Sequence, residues 1–401
     1  MKGRTDYLRK HRERALRAVS LLTLLTALTP LTGTPLVAGD GIADRGGIVA
    51  RIAYKPAVLI AAPNTQQAKV LQDPASGRSF RYHLDVLMDR QGICEKRLSV
   101  HAPSVDQMSL AVAVAKAMGL LWAMAENRMG RLNSRLRSGS MDVWLCVDRG
   151  PGSAEQVRRS LYIYEAMADR SGLEWIRTLA HELGHFVLPG PVGYQDPESW
   201  STGVLGERLF LSWLRDEVAN GTVLKDDLPF VSATELDDYC AKQPDALVDR
   251  ILTRGVSAEA LDGKDRAAMD EATALLLYVS HVHSPVVLQE LLMYLPPRSL
   301  KAPNGRDFLQ AYERWASAAT NVRYNLPAGR CEARVFVPEG HWRIRQETGS
   351  GSETVFEGLD TMDSDRSSGE IRLKRGRWLI VRYRPGTSSA SDWYPAFTLV
   401  R

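Results

Sequence analysis

The chain has 401 residues, of which 44% are hydrophobic and 24% are charged, and a formal net charge of +4. A chain of this length is too long to form one compact core, and this composition excludes disordered, collagenous and multi-span membrane proteins. Residues 1–17 carry seven basic and two acidic side chains, so the rest of the chain has a net charge of −1. Nucleic-acid binding is therefore not predicted, because no basic surface remains to neutralise phosphates.

The N-terminal segment has the pattern of a secretory signal peptide. Its basic residues precede the uncharged run 18–28, and small residues at 37–39 supply a cleavage site. The run is shorter than the ~20 residues that cross a bilayer. We predict a signal peptide over 1–39, a secreted or periplasmic protein, and no membrane span after signal removal. The alternative is an uncleaved N-terminal anchor.

Strand and helix patterns are mixed between residues 76 and 225, after a linker or short pro-segment over 40–75. The alternating patterns of strands are at 80–87, 141–147 and 161–164. The run 110–124 is apolar nearly all round, which is typical of a buried helix. These patterns predict a domain with a sheet covered by helices.

Two further helices follow in this domain. Ser171 and Glu174 form a capping-box pattern, and apolar residues recur at helical spacing until Pro189 ends the first helix. The second is predicted over 204–219 and ends at Asn220.

The fold class predicted for the whole chain is α+β. Residues 226–320 have helical patterns and are predicted to form a helical domain. Residues 321–401 contain short alternating segments separated by Gly, Pro and Ser, which predicts an all-β sandwich as an accessory domain.

An HExxH motif lies inside the first of these two helices. His181 and His185 are one helical turn apart, so both imidazoles project from one face and can bind one zinc ion. Glu182 lies beside them and can accept a proton from a water molecule on the metal. The alternatives are two surface histidines, or a metal site without turnover.

Catalytic zinc needs a third protein ligand, and Glu207 on the next helix is the best-placed carboxylate. It shares a helical stripe with apolar residues, so an unpaired charge there would be costly. The alternatives are that Glu207 pairs with Arg177 or Arg215, or faces water. Glu198 and Glu217 are the reserve candidates.

These residues resemble those of the zincin metallopeptidases, specifically the gluzincin type that includes thermolysin. The resemblance covers residues 80–220, and HELGH is its specific match. The zinc ligands that it implies are His181, His185 and Glu207. It also implies Glu182 as general base, a zincin-like mixed sheet with an active-site helix, and the strand 161–164 as the edge strand on which an extended peptide docks. The chain departs from the pattern at Leu211, where an aspartate is expected.

A hydrolytic zinc site also benefits from a donor that stabilises the developing oxyanion. The candidates are Tyr194, Tyr278, His281 and His283. For His281 and His283 the favoured alternative is an ordinary core or surface role. Trp200 and Trp213 are expected to serve in packing rather than as substrate platforms.

The chain has four cysteines, which suits an oxidising compartment. They are Cys94, Cys146, Cys240 and Cys331. We predict bridges between the first two and between the last two. The alternative is four free thiols.

The sequence therefore predicts a secreted zinc metalloendopeptidase that acts on polypeptides. One alternative is an exported binding or scaffold protein with a structural or inactive zinc site. Another is a zinc hydrolase of non-peptide substrates, which would share the ligands and differ in pocket shape.

Overall fold

The structure is a computed structural model, and it describes residues 47–62, 70–73, 77–130, 140–150, 152–297, 302–346, 353–357, 364–365, 369–384 and 395–401. The predicted signal peptide at 1–39 lies outside the described residues. All described residues belong to one compact unit, Arg45–Arg401. The domain boundaries near 225 and 320 stay predictions.

The largest element is a mixed seven-stranded sheet in the order β1-β2-β5-β6-β7-β9-β8. The strands in the N-terminal half are β1 (Ile48–Ile52), β2 (Ala57–Ala61), β3 (Leu71–Gln72), β4 (Ser79–Phe80), β5 (Tyr82–Arg90), β6 (Ile93–Ala102), β7 (Met141–Leu145), β8 (Ala154–Val157) and β9 (Ser160–Ile163). β6 pairs with β7, and β7 with β9, in parallel, whereas the other pairs of this sheet are antiparallel. The segment predicted as a linker thus contributes β1 and β2, because its short apolar run 57–61 is buried against the neighbouring strand.

The described residues contain eight α-helices, of which the first two contact this sheet. They are α1 (Met108–Met129), α2 (Gly172–Val187), α3 (Ser201–Ala219), α4 (Ala233–Lys242), α5 (Pro244–Arg254), α6 (Arg266–Tyr278), α7 (Pro285–Glu290) and α8 (Gly305–Ala318). The stretch Val105–Met129 is apolar and long enough to cross a membrane, but 67% of its most apolar 18 residues are buried inside the protein. α1 is therefore a core helix here, packed between the sheet and the helices α2 and α3.

The C-terminal segment forms two antiparallel sheets, in the orders β10-β17-β12-β15-β14 and β11-β16-β13. Its strands are β10 (Asn321–Asn325), β11 (Glu332–Val337), β12 (Gly340–Gln346), β13 (Glu353–Glu357), β14 (Ser364–Asp365), β15 (Glu370–Leu373), β16 (Arg377–Arg384) and β17 (Ala396–Val400). Phe356 of one sheet contacts Phe397 of the other, with ring centroids 5.6 Å apart. Helices and strands together make the chain α+β, as predicted.

The two predicted disulfide bridges are absent from the structure. Cys94, Cys146, Cys240 and Cys331 are all free thiols. Cys146 is buried with aromatic side chains on one face of the sheet, whereas Cys240 is buried in the main core. Cys331 is exposed, so the four cysteines occupy separate environments.

Candidate metal centre and its cleft

The helix α2 carries the HExxH motif and begins with the predicted capping box. The Ser171 hydroxyl accepts a hydrogen bond from the backbone N–H of Glu174 at 3.2 Å, and the Glu174 carboxylate accepts one from the backbone N–H of Ser171 at 2.9 Å. The apolar stripe of α2 is buried in the main core, including Ile176, Leu179 and Leu183. This packing fixes the rotation of the helix and therefore the direction of its two histidines.

The helices α2 and α3 cross in backbone contact at two glycines. A Cβ atom on Gly184 would lie 2.3 Å from the carbonyl oxygen of Thr202, and one on Gly206 would lie 2.5 Å from the Cα atom of Gly184. Because neither glycine has a side chain, α3 approaches α2 closely enough to bring its first turn beneath the HExxH motif.

Two imidazoles and one carboxylate converge above this crossing. The Glu198 Oε2 atom lies 3.0 Å from Nε2 of His181 and 3.3 Å from Nε2 of His185. The three ligand atoms all lie within 4.8 Å of one another. The other carboxylate oxygen of Glu198 accepts a hydrogen bond from the backbone N–H of Val204 at 3.3 Å, in the first turn of α3. The helix terminus therefore fixes the carboxylate that faces the histidines.

Electrostatic coupling within this group is strong. Burial opposes ionisation of Glu198, but its hydrogen bonds to His181 and His185 outweigh burial and lower the pKa of Glu198 to about 2. Burial disfavours a charged His181, yet Glu198 overcomes this and raises the pKa of that imidazole. The carboxylate and the imidazoles therefore stabilise each other's charged forms.

The remaining nitrogen of each histidine faces a second polar group. Nδ1 of His185 lies 2.9 Å from the hydroxyl of Thr202, and Nδ1 of His181 lies 4.0 Å from Oε2 of Glu207. The Thr202 contact is at hydrogen-bond distance and can hold the His185 imidazole in one orientation and tautomer, whereas the Glu207 contact is longer than a hydrogen bond.

The prediction that Glu207 is the third ligand needs correction. Its Oε1 atom accepts hydrogen bonds from Nε of Arg177 at 2.8 Å and from the hydroxyl of Tyr239 at 2.6 Å. The Glu207 Oε2 atom lies 4.0 Å from Nδ1 of His181, whereas Glu198, and not Glu207, lies close to Nε2 of both histidines. The other reserve candidate, Glu217, forms an ion pair with Arg128.

Glu182 is the catalytic candidate, and its side chain is buried beside the histidines. Only 7% of Glu182 is exposed, and its Oε2 atom has no hydrogen-bond partner in the described part of the chain. Burial raises the pKa of Glu182, while the two histidines act in the opposite direction. A buried carboxylate without a partner costs free energy unless a bound ligand or a water molecule supplies the missing interaction.

A cleft of about 910 Å³ opens over the group, and it is lined by residues of β8, α2 and α3 and by residues just before α2 and α3. The strand predicted to form its edge, 161–164, corresponds to β9, which lies between β7 and β8. The edge strand is β8 instead. Its polar sequence, Ala154–Val157, gave no strong strand signal.

The backbone of β8 has free hydrogen-bonding groups toward the cleft. The backbone N–H of Tyr164 donates to the carbonyl of Ser153 at 3.0 Å. In an antiparallel pair alternate residues bond to the partner, so every second residue from Ser153 bonds to β9. Ala154 and Gln156 therefore direct their N–H and C=O groups away from β9, and both line the cleft.

None of the predicted oxyanion donors lines this cleft. Tyr194 is buried in the core, and His281 contacts the hydroxyl of Ser212 at 2.8 Å. His283 lies between Arg323 and Tyr312.

The two tryptophans differ from each other. Trp213 packs in the core with 1% exposure, as expected, whereas Trp200 is 57% exposed and lines the cleft. The expectation that Trp200 serves in packing was wrong, because the residue stands just ahead of α3 on the protein surface.

Comparisons with known proteins do not identify the chain further. No family model, curated protein or solved structure matches it.

Proposed function

We propose that this protein is an exported, zinc-dependent metallopeptidase of the zincin type, which hydrolyses peptide bonds in polypeptides. The observation that carries the proposal is the convergence of His181, His185 and Glu198 beside the buried, unpartnered carboxylate of Glu182. The signal-peptide pattern over 1–39 supports export.

The donor set fits zinc. Two imidazole nitrogens and one carboxylate are a common ligand set of catalytic zinc sites, in which a fourth position stays open. The open side here is the cleft, which all three residues line. Thr202 and Glu207 face the outer nitrogens of the two histidines, as the supporting groups of such sites do. Zinc held there would polarise a substrate carbonyl and lower the pKa of a water molecule.

Glu182 is the general base in this proposal. Its raised pKa brings the carboxylate nearer to the pH at which it can both accept and return a proton. It would take a proton from the attacking water as the C–O bond forms, and would deliver that proton to the leaving amine nitrogen as the C–N bond breaks. No second residue is needed for proton transfer.

The edge strand β8 supports a polypeptide substrate. An extended peptide can add to a sheet edge through main-chain hydrogen bonds, whatever its side chains. The outward groups of Ala154 and Gln156 would hold such a peptide along the cleft above Glu182. A non-peptide substrate would leave these backbone groups without a partner.

The test compares the natural chain with Glu182→Gln for zinc content and for cleavage of an unfolded protein. We expect about one zinc per chain in both. Cleavage by the variant should fall about 10²–10⁴-fold, because general-base catalysis contributes that much. Glu259→Gln, an exposed site outside the cleft, serves as the matched control. If zinc binds and no Glu182-dependent cleavage of polypeptides follows, the protein is instead a binding or scaffold protein or a zinc hydrolase of non-peptide substrates.

A further inference from the structure

The two ends of the cleft differ in chemistry, and this difference can determine which polypeptides bind in it. One end has an exposed tryptophan and the other has carboxylates. Because a peptide has a direction, a cleft with unlike ends can distinguish the two sides of the cleaved bond. Such a distinction rests on the proposed peptidase function of the cleft.

The apolar end lies beside the C-terminal end of α2. Trp200 forms an isolated antiparallel bridge with Val192, a few residues beyond that end of the helix. Trp200 is 57% exposed and lines the cleft. An exposed indole in a cleft is a surface for an aromatic or other large apolar side chain.

The acidic end lies beside the start of α2. Asp169, Glu174 and Glu155 line the cleft there. Asp169 is exposed and has no ion pair in the described ranges, whereas Glu174 caps α2. The Glu155 carboxylate accepts a hydrogen bond from the hydroxyl of Tyr164.

The cations of the cleft do not cancel this charge. The guanidinium of Arg177 pairs with Glu207. Arg170 donates to the backbone carbonyls of Ser153 and Tyr164 and stacks on an aromatic ring. Two arginines, of which Arg177 is paired with Glu207, therefore stand against three carboxylates at this end, and a basic side chain is favoured there.

The direction of β8 sets the direction of the substrate. The hydrogen bond from Arg170 to Ser153, 3.4 Å long, places the start of β8 beside the start of α2. From there β8 runs toward the HExxH motif. Antiparallel pairing is slightly more stable per residue than parallel pairing. An antiparallel peptide would begin near Trp200 and leave the cleft at the acidic end.

We propose that the cleft selects polypeptides with a large apolar residue before the cleaved bond and lysine or arginine after it. Glu174 and His181 are seven residues apart on α2, which is about 10 Å along a helix. Extended peptide residues advance about 3.4 Å each, so the basic residue belongs two or three positions after the bond.

The test uses two peptides of equal composition. The first has phenylalanine before the bond and two lysines at the second and third positions after it, and the second has these groups exchanged. We expect kcat/KM to be at least tenfold higher for the first peptide. Asp169→Lys should remove most of this preference by raising the KM of the first peptide. Trp200→Ala should weaken binding of both peptides, and that of the first peptide more. Asp226→Asn, an exposed site outside the cleft, should leave the preference unchanged.

The affinities of both peptides for the Glu182→Gln variant separate this inference from the proposed function. Tighter binding of the first peptide supports the inference even where turnover is absent. Equal binding of both peptides, or an unchanged preference in Asp169→Lys, would overturn it. Cleavage that does not depend on Glu182 would count against the peptidase instead.

Discussion

At the scale of single residues, the site divides into a part that sequence predicts and a part that it does not. His181, Glu182 and His185 belong to one helix, and their relation follows from local helix geometry. Glu198 follows a loop, and only the contact between α2 and α3 brings it to the histidines. Spacing along the chain therefore favoured Glu207, which lies on a helix, over Glu198, which precedes one.

Thr202 is expected to tune metal affinity through His185. In Thr202→Val the shape of the side chain is kept, but Nδ1 of His185 loses its partner at 2.9 Å. Loss of such an outer partner typically costs 10–100-fold in metal affinity. We expect the Kd for zinc to rise by about that factor in a competition titration. An unchanged Kd, equal to that of the exposed control Thr222→Val, would contradict this role.

At the scale of elements, the close crossing of α2 and α3 makes the site. The capped amphipathic pattern predicted α2, and its bounds agree with the structure. The crossing depends on Gly184 and Gly206 meeting across two helices, which no local pattern reveals. The edge strand β8 was missed for a related reason, because an edge strand with one neighbour needs little apolar patterning.

Gly206→Ala should therefore push the two helices apart. The added methyl group would lie 2.5 Å from the Cα atom of Gly184. A backbone atom cannot move away as the end of a flexible side chain can. We expect the free energy of unfolding to fall by about 1–3 kcal/mol, together with weaker zinc binding. Denaturant unfolding and zinc titration measure both effects. Gly47→Ala, where no atom lies within 4 Å, is the control; equal behaviour of the two variants would contradict the role of the crossing.

At the scale of the whole molecule, one continuous buried cluster joins the main sheet, the helices and both C-terminal sheets. Sequence patterns predicted the α+β class and the change from helices to strands near residue 320. They did not predict β1 and β2, since short strands in Gly-rich and Pro-rich surroundings gain most of their stability from the sheet they join. The predicted disulfides are absent for a similar reason, because the number of cysteines gives no information on the distances between them.

His283 links the helical segment to the C-terminal strands. Its Nδ1 atom donates to the carbonyl of Arg323 at 2.7 Å, so its Nε2 atom accepts from the hydroxyl of Tyr312 at 2.9 Å. The neutral imidazole satisfies both contacts. Burial lowers the pKa of His283 from 6.5 to about 4, against the smaller raising effect of the Arg323 carbonyl.

The free energy of unfolding should consequently depend on pH through His283. Between pH 6.5 and about 4 the unfolded chain binds a proton here and the folded chain does not, so stability falls as pH falls through this window. Above pH 6.5 this contribution is constant. The loss is of order 3 kcal/mol at its largest. In His283→Gln the slope in this window should be smaller than in the natural chain or in the exposed control His341→Gln. Identical slopes would contradict the assignment.

The proposed function requires that His181, His185 and Glu198 bind one catalytic zinc ion. The most direct measurement is zinc bound per chain in the natural protein, in Glu198→Gln and in Glu207→Gln, each dialysed against the same weak chelator. We predict about one zinc in the natural chain, loss of zinc in Glu198→Gln, and retention in Glu207→Gln with affinity reduced by no more than about 10–100-fold. Loss of zinc in Glu207→Gln with retention in Glu198→Gln, or no zinc in the natural chain, would contradict the account.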